Sequence, residues 1–158
     1  ITMTIPYPEK YMKPELGIGK LANYQGVQAD SLVVGVGGLG FGVGVQVTED
    51  VATTYKDGQF YGISYAKNYV EEIPYGDVEK VGKYKEHEMV PILRKGAIWV
   101  KVDEDVLAGE NAKALSTGNF GKATISSDPA TTPSDTVIGT FKTTASAGNL
   151  AVLQINLP

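Results

Sequence analysis

Apolar and polar residues alternate with a period of two along several stretches of the chain. The clearest stretch is PILRKGAIWVKV at positions 91–102, where Ile98, Val100 and Val102 fall on one face. Alternation with this period is typical of half-buried strands. The segments that show strand patterns are 41–47, 59–65, 78–84, 89–93, 97–102, 120–125, 136–143 and 150–157. The pattern therefore predicts an all-β fold.

For two of these strands the sequence also predicts the positions of individual side chains. In the segment 59–65, Tyr61, Ile63 and Tyr65 are predicted to share a face because they are two residues apart. Pro91 lies inside an apolar run and has no N–H to give to a neighbouring strand, which predicts a sheet edge or a β-bulge at that position. Trp99 falls on the face opposite to Ile98, where it either packs within its own subunit or anchors an interface.

Glycine is the outlier in composition, with 19 residues out of 158, about twice the usual share. Three of these glycines, Gly35, Gly37 and Gly40, form the spacing G-x-G-x-x-G. A dinucleotide site requires a helix to begin after the third glycine. The chain continues as FGVGVQV, which is poor in helix formers, so we predict a hairpin turn here. Gly42 and Gly44 alternate with larger residues, which predicts that another part of the chain packs closely against them.

The length of 158 residues suits one compact domain with an extended arm. The arm is assigned to residues 1–16, in which Pro6, Pro8 and Pro14 disfavour both helix and paired strand. Residues 17–158 are predicted to form a single β-rich domain. The expected architecture is a compact β-barrel or a two-sheet sandwich, and the pattern leaves both possibilities open.

Charge and composition exclude several classes of function. The net charge is −4, and no run of basic residues exceeds two, so the chain lacks a basic stripe for nucleic acid. No stretch of apolar residues is long enough for a membrane-spanning helix. The chain has no cysteine, which excludes disulfides and cysteine-ligated zinc. Neither nucleic acid nor a membrane is therefore expected as a partner.

Residues that could carry catalysis are sparse. His87 is the only histidine, and it lies between two glutamates in a charged segment that is expected to be exposed. Asp103, Glu104 and Asp105 lack the spacing of a calcium-binding loop, so a turn is predicted there, with metal binding as the alternative. No pair of carboxylates is singled out for glycoside hydrolysis. We predict no catalytic residue, no cofactor and no metal.

Aromatic residues point instead to a binding surface. All nine tyrosines lie between Tyr7 and Tyr84, and tyrosine is enriched at protein contacts. The arm combines tyrosine and methionine side chains, which favours docking onto a neighbour over a solvated terminus. The residues predicted to contact a partner are Tyr7, Tyr11, Met12, Tyr61, Tyr65 and Trp99.

Five blocks of the sequence resemble the capsid cement, or head decoration, proteins of tailed bacteriophages. The blocks are GKLAN at 19–23, LGFGVGVQV at 39–47, FYGISYAKNYVEE at 60–72, VPILRKGAIWVKVDEDVLAGE at 90–110 and VIGTFKTTASAGNLAVLQINL at 137–157. They occur in the order expected for that family and cover most of the chain. The proline-rich leader and residues 111–136 depart from the pattern.

The resemblance implies a structural virion protein on the outer capsid surface. Such a protein binds the major capsid protein and stabilises contacts between its subunits, and it works as a homo-oligomer, either a dimer or a trimer at capsid symmetry axes. No enzymatic activity is implied. The alternative from a different class is a carbohydrate-binding or hydrolytic β-domain, which aromatic side chains and scattered carboxylates would suit.

Overall fold

The structure is a computed structural model that describes residues 18–22, 26–67, 83–128, 130 and 134–158. These residues form strands, turns and irregular segments without a helix, so the all-β prediction is confirmed. The described residues accordingly contain no helix that is long and apolar enough to span a membrane. The strands are β1 (Gln28–Val34), β2 (Leu39–Gly40), β3 (Gly44–Thr48), β4 (Val51–Thr54), β5 (Phe60–Ser64), β6 (Lys83–Tyr84), β7 (Met89–Lys101), β8 (Asn111–Ala114), β9 (Phe120–Lys122), β10 (Gly139–Phe141) and β11 (Leu150–Asn156). The predicted arm, residues 1–16, lies outside the described residues.

Five of the strands close into a barrel. The strands pair in the order β1-β4-β3-β5-β7, and β7 pairs with β1 in turn, so the sheet returns to its first strand. The pairing of β1 with β4 is parallel and joins Val33 to Val51, while the other pairs around the barrel are antiparallel. Of the two architectures that the sequence left open, the structure is the barrel.

The remaining large-sheet strands extend from β7 and form a second ring. They follow the order β7-β11-β10-β8-β9, and a parallel bridge between Val102 and Phe120 brings β9 back to the end of β7. At that bridge the Asp103 N–H donates to the Phe120 carbonyl over 3.1 Å. The 13-residue strand β7 is therefore shared by both rings.

Backbone hydrogen bonds hold β7 on both edges along most of its length. Its first half pairs with β1 on one edge and with β5 on the other. Its second half pairs with β11 on one edge, and on the other it meets residues 18–22. There the Gly19 N–H donates to the Trp99 carbonyl over 2.7 Å, and the Trp99 N–H donates to the Lys20 carbonyl over 2.9 Å. Few backbone N–H and C=O groups of this central strand therefore lack a hydrogen-bond partner within the sheet.

A β-bulge at Arg94 allows β7 to contribute side chains to two hydrophobic cores. β1 pairs Gln28 with Lys95 and Ala29 with Leu93, which leaves Arg94 as an extra residue on β7. An extra residue exchanges the faces on which the following side chains lie. Leu93 therefore shares a core with Ile98 and Val100, whereas Ile92 belongs to the other core.

Each ring has its own hydrophobic core. The buried core of the second ring and the adjoining barrel strands contains Ile63, Leu93, Ile98, Val100, Val102, Val106, Ala112, Phe120, Ile138, Phe141, Ala151, Leu153 and Ile155. The other buried core contains Val34, Leu39, Phe41, Val45, Ala52, Tyr84, Val90 and Ile92. The predicted core face of Ile98, Val100 and Val102 is confirmed, because all three side chains are buried.

The shared face predicted for Tyr61, Ile63 and Tyr65 is wrong for Tyr61. β3 pairs Val45 with Gly62 and Gln46 with Phe60, so Tyr61 is an extra residue on β5. This bulge turns Tyr61 toward the core that contains Ile92, while Ile63 and Tyr65 pack in the other core.

The position predicted for Pro91, at an edge or a bulge, is also wrong. Pro91 lies opposite Ser31 of β1, and its carbonyl accepts a hydrogen bond of 3.0 Å from the Tyr65 N–H. In an antiparallel pair the residue that accepts from the Tyr65 N–H would also donate to the Tyr65 carbonyl. The Tyr84 hydroxyl supplies that donor instead, over 2.8 Å. The missing N–H therefore costs the sheet little, and the bulge falls three residues later.

The glycine-rich segment 35–44 contains the predicted turn and the predicted close packing. Gly37 and Gly38 have positive φ values of 91° and 74° in a turn between β1 and β2, which only glycine adopts easily. No helix follows this turn, so a turn at these glycines is confirmed. The predicted hairpin is wrong, because β1 pairs with β4 and β7 whereas β2 pairs with β6. A Cβ atom on Gly42 would lie 2.6 Å from the Gly19 nitrogen, which confirms the predicted close packing.

We expect Gly62→Ala to destabilise the barrel. The added Cβ would lie 2.4 Å from the Leu93 carbonyl oxygen and 2.6 Å from Ile92 Cγ2, so β5 and β7 would have to separate. Overpacking of this kind costs about 1–3 kcal/mol of unfolding free energy. Gly40→Ala is the matched control, because its Cβ would lie 3.4 Å from Val43 Cγ1, an ordinary contact. Urea unfolding of both variants tests this, and equal stabilities would contradict the close approach.

Candidate functional site

The two bulged residues, Tyr61 and Arg94, are in contact, and both are half-buried beside the core that contains Ile92. The Arg94 guanidinium lies 4.2 Å from the centre of the Tyr61 ring and donates to the Tyr61 carbonyl. It also donates to the Pro158 carbonyl over 2.5 Å. The Tyr61 hydroxyl donates to Asp30 Oδ2 over 2.5 Å, and this hydrogen bond raises the pKa of Tyr61. The cluster thus joins β1, β5, β7 and the segment after β11.

Tyr65, the second predicted contact residue on this segment, is half-buried against the core of the second ring. Burial raises the pKa of Tyr65. Its carbonyl accepts a hydrogen bond of 2.8 Å from the Tyr84 hydroxyl. The ring of Tyr84 is buried, and burial raises its pKa to about 12, with a smaller contribution from Glu88.

An ion pair covers Tyr84. Lys67 Nζ lies 2.6 Å from Glu88 Oε2 and 4.9 Å from the centre of the Tyr84 ring. The hydrogen bond from Lys67 lowers the pKa of Glu88. Lys67 follows β5 and Glu88 precedes β7, so the pair adds a charged contact between the two strands at this point.

Trp99 and Tyr65 lie on either side of the segment 18–22. The Gly19 N–H donates to the Trp99 carbonyl over 2.7 Å, and the Gly19 carbonyl accepts from the Ala66 N–H over 2.8 Å. Both aromatic residues are half-buried. The structure therefore brings these two predicted contact residues to the place where the described N-terminal segment begins. Tyr7, Tyr11 and Met12 lie outside the described residues.

The acidic segment 103–105 forms the turn that the sequence predicts. Asp103 accepts hydrogen bonds from the Thr117 hydroxyl over 2.7 Å and from the Asn119 amide over 2.9 Å. Glu104 accepts from the Lys122 N–H over 2.5 Å, and Asp105 accepts from the Ala147 N–H over 2.9 Å. Asp103 and Asp105 thus join this turn to neighbouring loops, and Glu104 joins it to the end of β9.

Residues that could hold a metal ion are not assembled in the part of the chain that the structure describes. No group of three or more histidine, aspartate or glutamate side chains there is arranged around a possible ion. His87 is exposed in the turn before β7, and its Nε2 lies 3.4 Å from a Glu86 carboxylate oxygen. The geometry is that of a solvated turn.

Exposed apolar side chains are a feature that the sequence analysis did not single out. Six large hydrophobic residues are exposed in the described part of the chain: Val33, Val36, Met89, Leu107, Ile125 and Val137. The strongest signal available in the sequence was Val36, a valine between Gly35 and Gly37 in a predicted turn. Turns usually carry polar residues, so an exposed valine there is informative.

We expect Tyr84→Phe to reduce the loss of stability at alkaline pH. Unfolded tyrosine ionises near pH 10, whereas folded Tyr84 keeps its proton up to about pH 12, so its contribution is complete below the first value and is lost as pH rises through the second. Urea unfolding of both proteins from about pH 8 to about pH 12 should show a shallower decline for the variant. At neutral pH the variant should be about 1 kcal/mol less stable, because the Tyr65 carbonyl loses its donor. Parallel alkaline declines would contradict this assignment.

Comparison with known proteins finds one matching family and a solved structure with a similar fold. Residues 7–156 match the model of the family described as structural cement protein (E217 gp24/Pam3 gp6). A chain of the solved structure "The capsid of Myoviridae Phage XM1" has a similar fold, with a TM-score of 0.57 and 16% sequence identity over 91% of this chain and 92% of that chain. No curated protein matches the sequence. The family match spans nearly the whole chain, and this protein therefore belongs to the phage structural cement protein family.

Proposed function

We propose that this protein binds the outer surface of a phage capsid and stabilises contacts between neighbouring subunits of the major capsid protein. The match to the structural cement family over residues 7–156 is the observation that carries this proposal. A ligand that binds only the assembled shell stabilises it by mass action, without any bond being made or broken. No enzymatic step is needed for such a role.

The hydrogen-bonded framework makes the molecule stiff, which suits a protein that holds neighbouring capsid subunits together. Both rings share β7, so a load applied to one ring passes directly into the backbone of the other. The bridge between Val102 and Phe120 and the three acidic side chains at 103–105 brace the far end of that strand. A stiff body loses little conformational freedom on binding, which favours affinity.

The contact surface is proposed to include the arm together with Tyr65 and Trp99. The segment that follows the arm begins at Ile18, and Gly19 bonds to the backbone next to Tyr65 and at Trp99. Contacts made by Tyr7, Tyr11 and Met12 would thus extend from a firmly attached point. Tyr61 is proposed as a further contact through the part of its ring that Arg94 leaves uncovered.

Self-association into a dimer or a trimer is proposed as part of the same role. Closed symmetric oligomers are the usual form of repeated contacts between identical chains. An oligomer centred on a capsid symmetry axis engages several capsid subunits at once, and the linked contacts raise the overall affinity well above that of one site.

Purified protein is expected to bind expanded empty shells of its phage and to raise their melting temperature. Cosedimentation measures the binding, and calorimetry of shells with and without added protein measures the shift. Unassembled major capsid protein is the control, because the proposed site spans more than one subunit. Shells that neither bind the protein nor change their melting temperature would contradict the proposal.

Deletion of residues 1–13 is expected to leave the fold intact and to weaken oligomerisation or shell binding. The fold should survive because the Gly19 and Lys20 bonds to β7 follow the deletion. Circular dichroism and urea unfolding test the first expectation, and light scattering and cosedimentation test the second. A truncated protein that unfolds by itself would refute the assignment of an arm.

A further inference from the structure

A cleft lies between the barrel and the second ring. The turn between β4 and β5 forms its barrel side, and β8 with the segment 135–138 forms the other side. Its volume is about 260 Å³. That is below the range of about 300–1,000 Å³ typical of pockets for drug-sized ligands, so the cleft suits a smaller molecule.

Aromatic rings form the barrel side of the cleft. The ring centres of Tyr55 and Phe60 lie 6.1 Å apart, and both rings are half-buried. Phe60 packs edge to face against the buried Phe120 at 6.3 Å, so the core of the second ring fixes its position. The Tyr55 N–H donates to the Gly44 carbonyl over 2.7 Å, and the Gln46 side chain accepts hydrogen bonds from the turn that follows. This wall is therefore preformed.

The opposite side of the cleft is polar and carries an ion pair. Lys113 Nζ lies 3.1 Å from Asp135 Oδ2, and the Thr124 N–H donates to the same oxygen over 2.9 Å. The hydrogen bond from Thr124, followed by that from Lys113, lowers the pKa of Asp135. Asp135 Oδ1 has no hydrogen-bond partner among the described residues, and the ammonium of Lys113 has further N–H groups to donate. An acceptor and a donor thus stand side by side.

The charges of this pair cancel, which limits the class of ligand. A phosphate or carboxylate would compete with Asp135 for Lys113, and a cation would compete with Lys113 for Asp135. An apolar ligand would displace water from both charged groups without replacing its hydrogen bonds, which costs free energy. A neutral molecule with hydroxyl groups can accept from Lys113 and donate to Asp135 at the same time.

We propose that this cleft binds a neutral saccharide. The C–H face of a sugar ring is apolar and packs on the ring of Tyr55 or Phe60. Hydroxyls on adjacent carbons of the sugar are close enough together to bond with Lys113 and Asp135, whose paired atoms are 3.1 Å apart.

The cleft is a binding site without the groups for hydrolysis. Asp135 is the one carboxylate among the residues that line it, whereas glycoside hydrolysis uses two. The inference goes beyond the proposed function and does not depend on it. On a shell that carries many copies of the protein, such sites would together bind a polysaccharide far more tightly than one copy does.

An array of neutral and acidic saccharides, probed with the full-length protein, tests the class of ligand. Neutral saccharides should bind, and sialylated or sulfated forms should bind no better than their neutral counterparts. Titration of the strongest neutral ligand into isotope-labelled protein should shift the backbone amide signals of residues 55–60, 113–114 and 135–138. Failure of every neutral saccharide to bind, a preference for acidic ones, or shifts confined to other residues would each overturn the inference.

Variants test the two walls separately. Asp135→Asn should weaken saccharide binding at least about tenfold, because the hydroxyls lose a charged acceptor. Glu88→Gln is the matched control and should stay within about twofold of wild type. It also breaks an ion pair with a lysine, and the Glu88 side chain is 31% exposed against 32% for Asp135, but it does not line the cleft. Tyr55→Leu removes an aromatic ring and should weaken binding several-fold.

Urea unfolding checks that each variant is folded. If Asp135→Asn does not fold, Tyr55→Leu and the amide shifts of the wild-type protein decide the question. Saccharide binding that is unchanged in both cleft variants would overturn the inference.

The outcomes separate this inference from the proposed function. If wild type binds saccharides but does not bind expanded empty shells, the proposed function fails and the inference stands. If wild type binds shells but no saccharide, and Asp135→Asn weakens shell binding, the cleft is a capsid contact. The inference is then overturned and the proposed function stands.

Discussion

The central constraint in this structure is the hydrogen bonding of β7 on both edges. One strand pairs with β1 and β5 in its first half, and with residues 18–22 and β11 in its second half. Two closed rings can share a strand only if that strand presents side chains to two cores. The bulge at Arg94 meets this requirement, because one extra residue turns the side chains of the second half to the other face.

The second bulge, at Tyr61, complements the first. It turns the Tyr61 ring out of the core that holds Ile63 and places it under the Arg94 guanidinium. Each irregularity therefore contributes one partner of the same surface contact, and Asp30 and the Pro158 carbonyl complete it. Bulges of this kind are local devices that aim a side chain, here at the seam between the barrel and the last strand.

In this cement protein one long strand, β7, is common to both rings. The shared strand joins the two rings, and the carboxylates at 103–105 brace the loops and the strand β9 of the second ring. Family membership gives the class of protein. Its exposed apolar residues indicate where it could contact a partner.

The sequence by itself determined the all-β class, the turn at Gly35–Gly40 and the core face of Ile98, Val100 and Val102, because these follow from local periodicity and backbone preference. It also determined the family resemblance, through the order of its blocks. Only the tertiary structure decided between barrel and sandwich, since closure depends on the pairing of β1 with β7 across more than fifty residues. It likewise decided the faces of Tyr61 and Leu93, because a bulge is set by the register of the partner strand and leaves no periodic mark in the sequence.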